Sequence, residues 1–88
     1  MKMEEHNIIK YALSSEKSLR LMESENKLIF VVDKGASKSE IKKAIEGLFN
    51  ASVMKVNTFI TPSGEKRAYI AFSPETQAID IATNLGLM

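Results

Sequence analysis

Apolar residues at Ile41, Ala44, Ile45 and Leu48 recur at i, i+3, i+4 and i+7, the spacing of one buried helix face, and predict a helix running to about Phe49. Directly ahead of it, Ser37-Lys38-Ser39-Glu40 has the form of a capping box. The serine hydroxyl and the glutamate carboxylate each satisfy a backbone N–H that a helix start leaves without a partner. The stretch Lys27-Leu28-Ile29-Phe30-Val31-Val32-Asp33 lacks this period. It is apolar at both odd and even positions, which predicts a central strand covered on each side. Between Asn7 and Leu13 lies a shorter apolar segment suited to an edge strand. A helix follows it, capped by Ser14 or Ser15, with Glu16 in the first turn where the helix dipole favours a carboxylate. Leu19 and Met22 share one face of this helix, which fades over Glu23–Asn26.

The segment from Val56 to Ile70 predicts a hairpin, with strands over roughly Ser52–Ile60 and Lys66–Phe72. Pro62 presets φ for the turn, and Gly64 can take the left-handed conformation that closes a three-residue loop with a bulge. Thr61 then faces Glu65, and the register follows. Met54/Phe72, Val56/Ile70 and Thr58/Ala68 share a core face; Lys55/Ala71, Asn57/Tyr69 and Phe59/Arg67 share the other. That second face offers an amide, a phenol, an arginine, a lysine and an exposed phenyl ring, with no carboxylate between them. A last helix begins near Ser73-Pro74 or Thr76, carries Ala78, Ile81, Ala82 and Leu85, and stops at Gly86. The order strand-helix-strand-helix-strand-strand-helix predicts an α+β fold, a mainly antiparallel three- to four-stranded sheet packed with helices. Residues 1–88 are expected to form one domain, with 1–6 as a mobile tail.

Composition narrows the chemistry. At 88 residues there is room for one modest core. The absence of cysteine removes disulfides, thiolate metal sites and a thiol nucleophile. No apolar run approaches the roughly 20 residues that span a bilayer, and the polar start lacks a signal-peptide core, so the chain is expected to stay where it is made without membrane insertion. There is no paired acid and base with a plausible pocket and no metal-ligand spacing, and Gly64, an isolated turn glycine, makes no phosphate-cradling loop. These absences predict no catalysis, no cofactor, no metal and no small-molecule substrate. His6 lies in the expected tail, with no ligand role. The methionines read as core filler, Met22 and Met54 among them.

A formal net charge of +1 means that any electropositive surface must come from segregation. Lys55, Lys66 and Arg67 gather on the hairpin and Lys38, Lys42 and Lys43 on the second helix, while Glu4, Glu5, Glu23 and Glu25 lie elsewhere. The outward hairpin face suits a nucleic-acid backbone and unstacked bases. Lys66 and Arg67 would neutralise phosphates, Asn57 would bond a sugar or base edge, and Tyr69 or Phe59 would pack on a ribose or base. The competing reading has a helix covering that face and burying Phe59 and Tyr69. The lysines of the second helix read first as a solvated face. A small regulatory or ligand-binding domain that dimerises through a sheet edge fits the composition equally well.

Five blocks add to this picture: Ser15-Glu16-Lys17, Asn26 to Asp33, Ile41 to Glu46 with Leu48-Phe49, Lys55 to Thr58, and Gly64 to Ile70. In this order, over about Ile8 to Leu87, the chain resembles the large-subunit ribosomal protein L twenty-three family. The resemblance implies a structural constituent of the cytoplasmic ribosome that binds large-subunit rRNA near the rim of the polypeptide exit tunnel. Neighbouring ribosomal proteins are implied as partners, as is a docking surface for nascent-chain factors such as the signal recognition particle. The implied RNA contacts are Lys10, Ser15, Lys17, Lys55, Asn57, Thr61, Lys66, Arg67 and Tyr69. Glu16 matches the position that bacterial members use to dock a nascent-chain chaperone. A short hairpin loop, and no long basic N-terminal extension, are similar to archaeal members. Ala12 stands where the family often has proline. Ser63 and Ala71 are neutral where relatives are often basic, which thins the implied phosphate contacts around the hairpin.

Overall fold

A computed structural model describes residues 8–86, and the elements follow the hydrophobic pattern. They are β1 (Ile9–Ala12), α1 (Glu16–Glu25), β2 (Lys27–Val32), α2 (Lys38–Phe49), β3 (Val53–Ile60), β4 (Lys66–Phe72) and α3 (Ala78–Asn84). The expected tail 1–6 with His6, the first residue of the expected edge strand, Asn7, and Leu87 lie outside the described residues. All the strands pair antiparallel in one four-stranded sheet of order β1-β2-β4-β3. This is the expected α+β architecture, with β1 at an edge and β2 inside.

The central strand explains its own composition. Leu28 to Val32 are all buried. Leu28, Phe30 and Val32 join Met22, Ile41, Ala44, Ile45, Ile81 and Ala82 from the helices in the core. Ile29 and Val31 alternate to the other face, where the register sets Tyr69 beside Ile29 and both Tyr11 and Arg67 beside Val31. Burying a side chain such as Phe30, Ile41, Ile45 or Ile70 stabilises the fold by about 1.5–3 kcal/mol each. Local signals set the helix starts. Ser15, rather than Ser14, caps α1, and Ser18 returns the bond: Ser18 N donates to Ser15 Oγ at 3.2 Å and Ser15 N to Ser18 Oγ at 2.8 Å. In α2 the predicted box closes between Ser37 and Glu40, at 3.2 and 2.9 Å.

The hairpin forms as expected from its turn. Thr61 N donates to Glu65 O and Gly64 N to Thr61 O, both at 2.8 Å, with Gly64 at φ 89°. From Lys55↔Ala71 to Ile60↔Lys66 the register is the predicted one. It breaks at the far end, where Val53 rather than Met54 lies opposite Phe72 and the ladder shifts between Val53 and Lys55. A bulge sets two residues against one and re-aims the side chains beyond it. Val53 is therefore buried, whereas Met54 is 66% exposed and is not core filler; Met22 is. Two further apolar positions depart from expectation. Leu48 is exposed, because Phe49 takes the inward place in the last turn of α2 and its ring stacks on Phe30 with centroids 5.8 Å apart. Leu85 is exposed because it lies just past the last residue of α3, a helix that starts at Ala78 and not at the earlier proline or threonine signals.

Candidate nucleic-acid interface

Strand alternation builds the candidate site on the sheet face turned away from the core. Lys55, Asn57 and Phe59 of β3 lie opposite Ala71, Tyr69 and Arg67 of β4. No described helix hides the phenyl ring, since Phe59 is 40% exposed. Its ring lies 5.2 Å from that of Tyr69 at an interplanar angle of 56°, a tilted pair that supports both rings. Lys17, in the first turn of α1, reaches over from the neighbouring layer and holds its ammonium 5.5 Å from the Tyr69 ring centroid. The helix start and the hairpin, far apart in the chain, thus meet at Tyr69.

A second cluster occupies the β1 side of this face. Glu65 Oε1 accepts the Arg67 Nε–H at 2.8 Å, and Glu65 Oε2 accepts the Tyr11 hydroxyl at 3.0 Å. The Arg67 bond, with the Tyr11 bond second, holds the Glu65 carboxyl below the usual carboxylate range. The bond to Glu65 pushes the Tyr11 phenol above its ordinary value. The face is therefore not free of carboxylates, as the sequence reading had it. Glu65 and Arg67 are two apart on one side of the hairpin, so period-2 alternation alone could have revealed the pair. Tyr11 carried no such signal. A bulge between Ile9 and Tyr11 turns it to this face, and only the β1–β2 pairing shows that.

The same alternation removes Lys66 from Arg67. Lys66 lies opposite Ile60 and Val32, and its Nζ donates to Ala36 O at 2.6 Å, tying down the loop between β2 and α2. Lys10 is exposed in the β1 bulge and, with Lys34, Lys66 and Glu65, lines a shallow depression of about 380 Å³ at the turn end. The Thr61 hydroxyl accepts Glu65 N at 3.1 Å and shares a 2.9 Å bond with Ser63, so it serves the turn. Ser15 is exposed at the rim with its hydroxyl engaged in the cap. Glu16 is exposed and bound to Arg20 at 2.7 Å. Lys38, Lys42 and Lys43 are exposed on α2, in the helical layer across the sheet. Of the expected contacts, then, Lys17, Lys55, Asn57, Arg67 and Tyr69 gather on one face with Phe59. Among the described residues no cluster of three or more His, Cys, Asp or Glu is placed to hold a metal, and no helix is long and apolar enough to cross a membrane.

The family model described as ribosomal protein L23 matches residues 7–79. The chain is 45% identical over 85 residues to the large ribosomal subunit protein uL23 of Methanococcus aeolicus, covering 97% of this chain and 99% of the relative. To the protein of that name from Methanococcus vannielii it is 47% identical, with the same coverage. To that of Pyrobaculum aerophilum it is 47% identical over 81 residues, 92% of this chain and all of the relative.

Proposed function

The chain belongs to the ribosomal protein L23 family, and from that premise we propose that it binds large-subunit rRNA through the sheet face carrying Lys17, Lys55, Asn57, Phe59, Arg67 and Tyr69. Members of this family are structural proteins of the cytoplasmic ribosome, not enzymes. The observation that carries the reading is the open Phe59–Tyr69 pair, with Lys17 over the Tyr69 ring and Lys55 further along β3 on the same face. Aromatic rings in a basic setting suit unstacked bases and riboses. Lys17 and Lys55 supply phosphate contacts, and the exposed Asn57 amide can bond a sugar or base edge. Ser15 extends the contact along the helix start, while Lys10 and Thr61 extend it toward the turn. Lys66 supports it through the loop that it anchors.

Residues 1–88 act on this reading as one rRNA-binding domain near the exit tunnel, among neighbouring ribosomal proteins. Glu16, exposed on the first turn of α1, is the proposed docking point for the signal recognition particle, which would have to read it together with Arg20 or displace that side chain. The dimeric regulatory-domain alternative gives way to the family membership.

The test is a titration against large-subunit rRNA fragments at two salt concentrations, with an unrelated folded RNA as control. Tight, salt-sensitive binding to one fragment is expected. Tyr69→Ala should weaken it by about 1–3 kcal/mol, and Lys55→Ala should lower the salt slope by about one. Equal binding to every RNA at both salts defeats the proposal.

A further inference from the structure

Arg67 stands on the proposed RNA face with a carboxylate already on it. Three independent features of the fold put it there. Strand alternation sets Glu65 beside Arg67. The turn fixes the Glu65 backbone, whose N–H donates to Thr61 Oγ1 at 3.1 Å and whose carbonyl accepts Thr61 N at 2.8 Å. The bulge in β1 brings the Tyr11 hydroxyl to the second carboxylate oxygen at 3.0 Å. Swinging Glu65 away would break two side-chain bonds, one of them between opposite charges. The two side chains are 36% and 29% exposed, so the pair is reachable by a partner yet partly shielded from water.

This arrangement changes what Arg67 can recognise. Its Nε is occupied, so the side-on, two-pronged contact through Nε and one amino group is closed. The terminal amino groups remain for a partner. A phosphate that approaches them also approaches the Glu65 charge, which offsets the attraction. A neutral acceptor pair meets no such repulsion, and O6 and N7 of guanine match the spacing of an arginine fork. Lys17 and Lys55 differ from Arg67: neither has a partner in the described ion pairs.

Building on the RNA-binding reading above, we infer that Glu65 sets the specificity of this face by turning Arg67 from a phosphate clamp into a reader of neutral base-edge acceptors, a guanine edge above all. Lys17 and Lys55 supply the sequence-blind phosphate contacts. Arg67, held in place by Glu65 and Tyr11, supplies discrimination. Glu65 is in this sense a positioning and screening residue that does not itself touch the RNA.

The experiment measures binding of the unmodified chain, Lys55→Ala, Arg67→Ala, Arg67→Lys and Glu65→Gln to the preferred rRNA fragment and to an unrelated folded RNA, across several salt concentrations. Arg67→Ala should weaken fragment binding about tenfold or more while leaving the salt slope in place. Lys55→Ala should lower that slope by about one. Arg67→Lys keeps the charge but loses the fork, and should fall as far as Arg67→Ala. Glu65→Gln should bind the unrelated RNA several-fold more tightly, with a slope steeper by about one. The inference is overturned if Arg67→Ala lowers the slope as Lys55→Ala does, if Arg67→Lys retains full affinity, or if Glu65→Gln leaves the unrelated RNA unaffected. Those outcomes, seen with a selective unmodified chain, leave the RNA-binding reading standing. A chain that shows no preference among RNAs defeats both.

Discussion

The side-chain carbonyl of Asn26 accepts the backbone N–H of Ala78 at 2.7 Å, so the residue that ends α1 also caps the start of α3, 52 positions along the chain. The same amide donates through Nδ2 to the carbonyls of Phe72, Ser73 and Thr76, at 3.3, 3.3 and 2.8 Å. Gln77, at the N-cap position of α3, makes no side-chain cap bond of its own. A helix of seven residues is too short to hold without tertiary anchors. Asparagine suits the post because Asn26 sits at φ 56°, ψ 42°, the left-handed region that it tolerates better than other side chains except glycine.

Asn26→Ala should therefore cost about 2–4 kcal/mol, through the lost cap, the lost Nδ2 bonds to the carbonyls and the left-handed strain. Asn26→Gly loses the same bonds without that strain and should be less costly by roughly 1 kcal/mol. Urea denaturation of both variants measures the difference. Equal losses would mean that backbone conformation contributes nothing at this position.

The Ser37–Glu40 box makes a simpler prediction. Ser37→Ala should lower stability by about 1 kcal/mol, since the N–H of Glu40 loses its acceptor at the start of the longest helix. An unchanged denaturation midpoint would show that the cap does not form in solution.

Met22 and Met54 should respond in opposite ways. Met22 is 3% exposed, and Met22→Ala should cost about 2–5 kcal/mol. Met54 is turned outward by the bulge, so Met54→Ser should stay within about 0.5 kcal/mol of the parent. A large loss at Met54 in the same denaturation assay would place it in the core and refute the bulge.

Tyr11 and Tyr69 are the only tyrosines, so in a Tyr69→Phe background an ultraviolet pH titration reports Tyr11 alone. The Glu65 carboxylate accepts a hydrogen bond from the Tyr11 hydroxyl and favours the neutral phenol, which raises the Tyr11 pKa. Glu65→Gln should move the transition back toward the ordinary phenol value. The folded pKa lies above the unfolded one, so the bond adds stability below the unfolded phenol pKa and loses it as pH rises through the folded pKa. For Glu65 the sign reverses. Its folded pKa lies below the unfolded one, so its contribution is present above the unfolded carboxylate pKa and is lost as pH falls through the depressed value. A Tyr11 titration that does not respond to Glu65→Gln would exclude the hydrogen bond.

Much of this molecule was legible in the chain because the forces involved act locally. The 3.6 period from Ile41, the box at Ser37 and the Pro62–Gly64 turn each involve neighbours within a few residues, and each formed where expected. The turn also set the hairpin register, and with it the shared face of Lys55, Asn57, Phe59, Arg67 and Tyr69. Family resemblance drew Lys17 into the candidate site, and the structure brings it to Tyr69. What remained hidden depends on partners distant in sequence. The bulge that exposes Met54 is a defect of strand pairing, which no property of Met54 announces. Tyr11 meets Glu65 across 54 positions, and Lys66 meets Ala36 across 30, once β2 has taken its place between β1 and β4. The chain's own pattern thus settled which helices and strands form and how the hairpin alternates. Tertiary packing decided which polar groups meet across distant segments, because a hydrogen bond or a cap over such separations exists only after the sheet has fixed the distance between its ends.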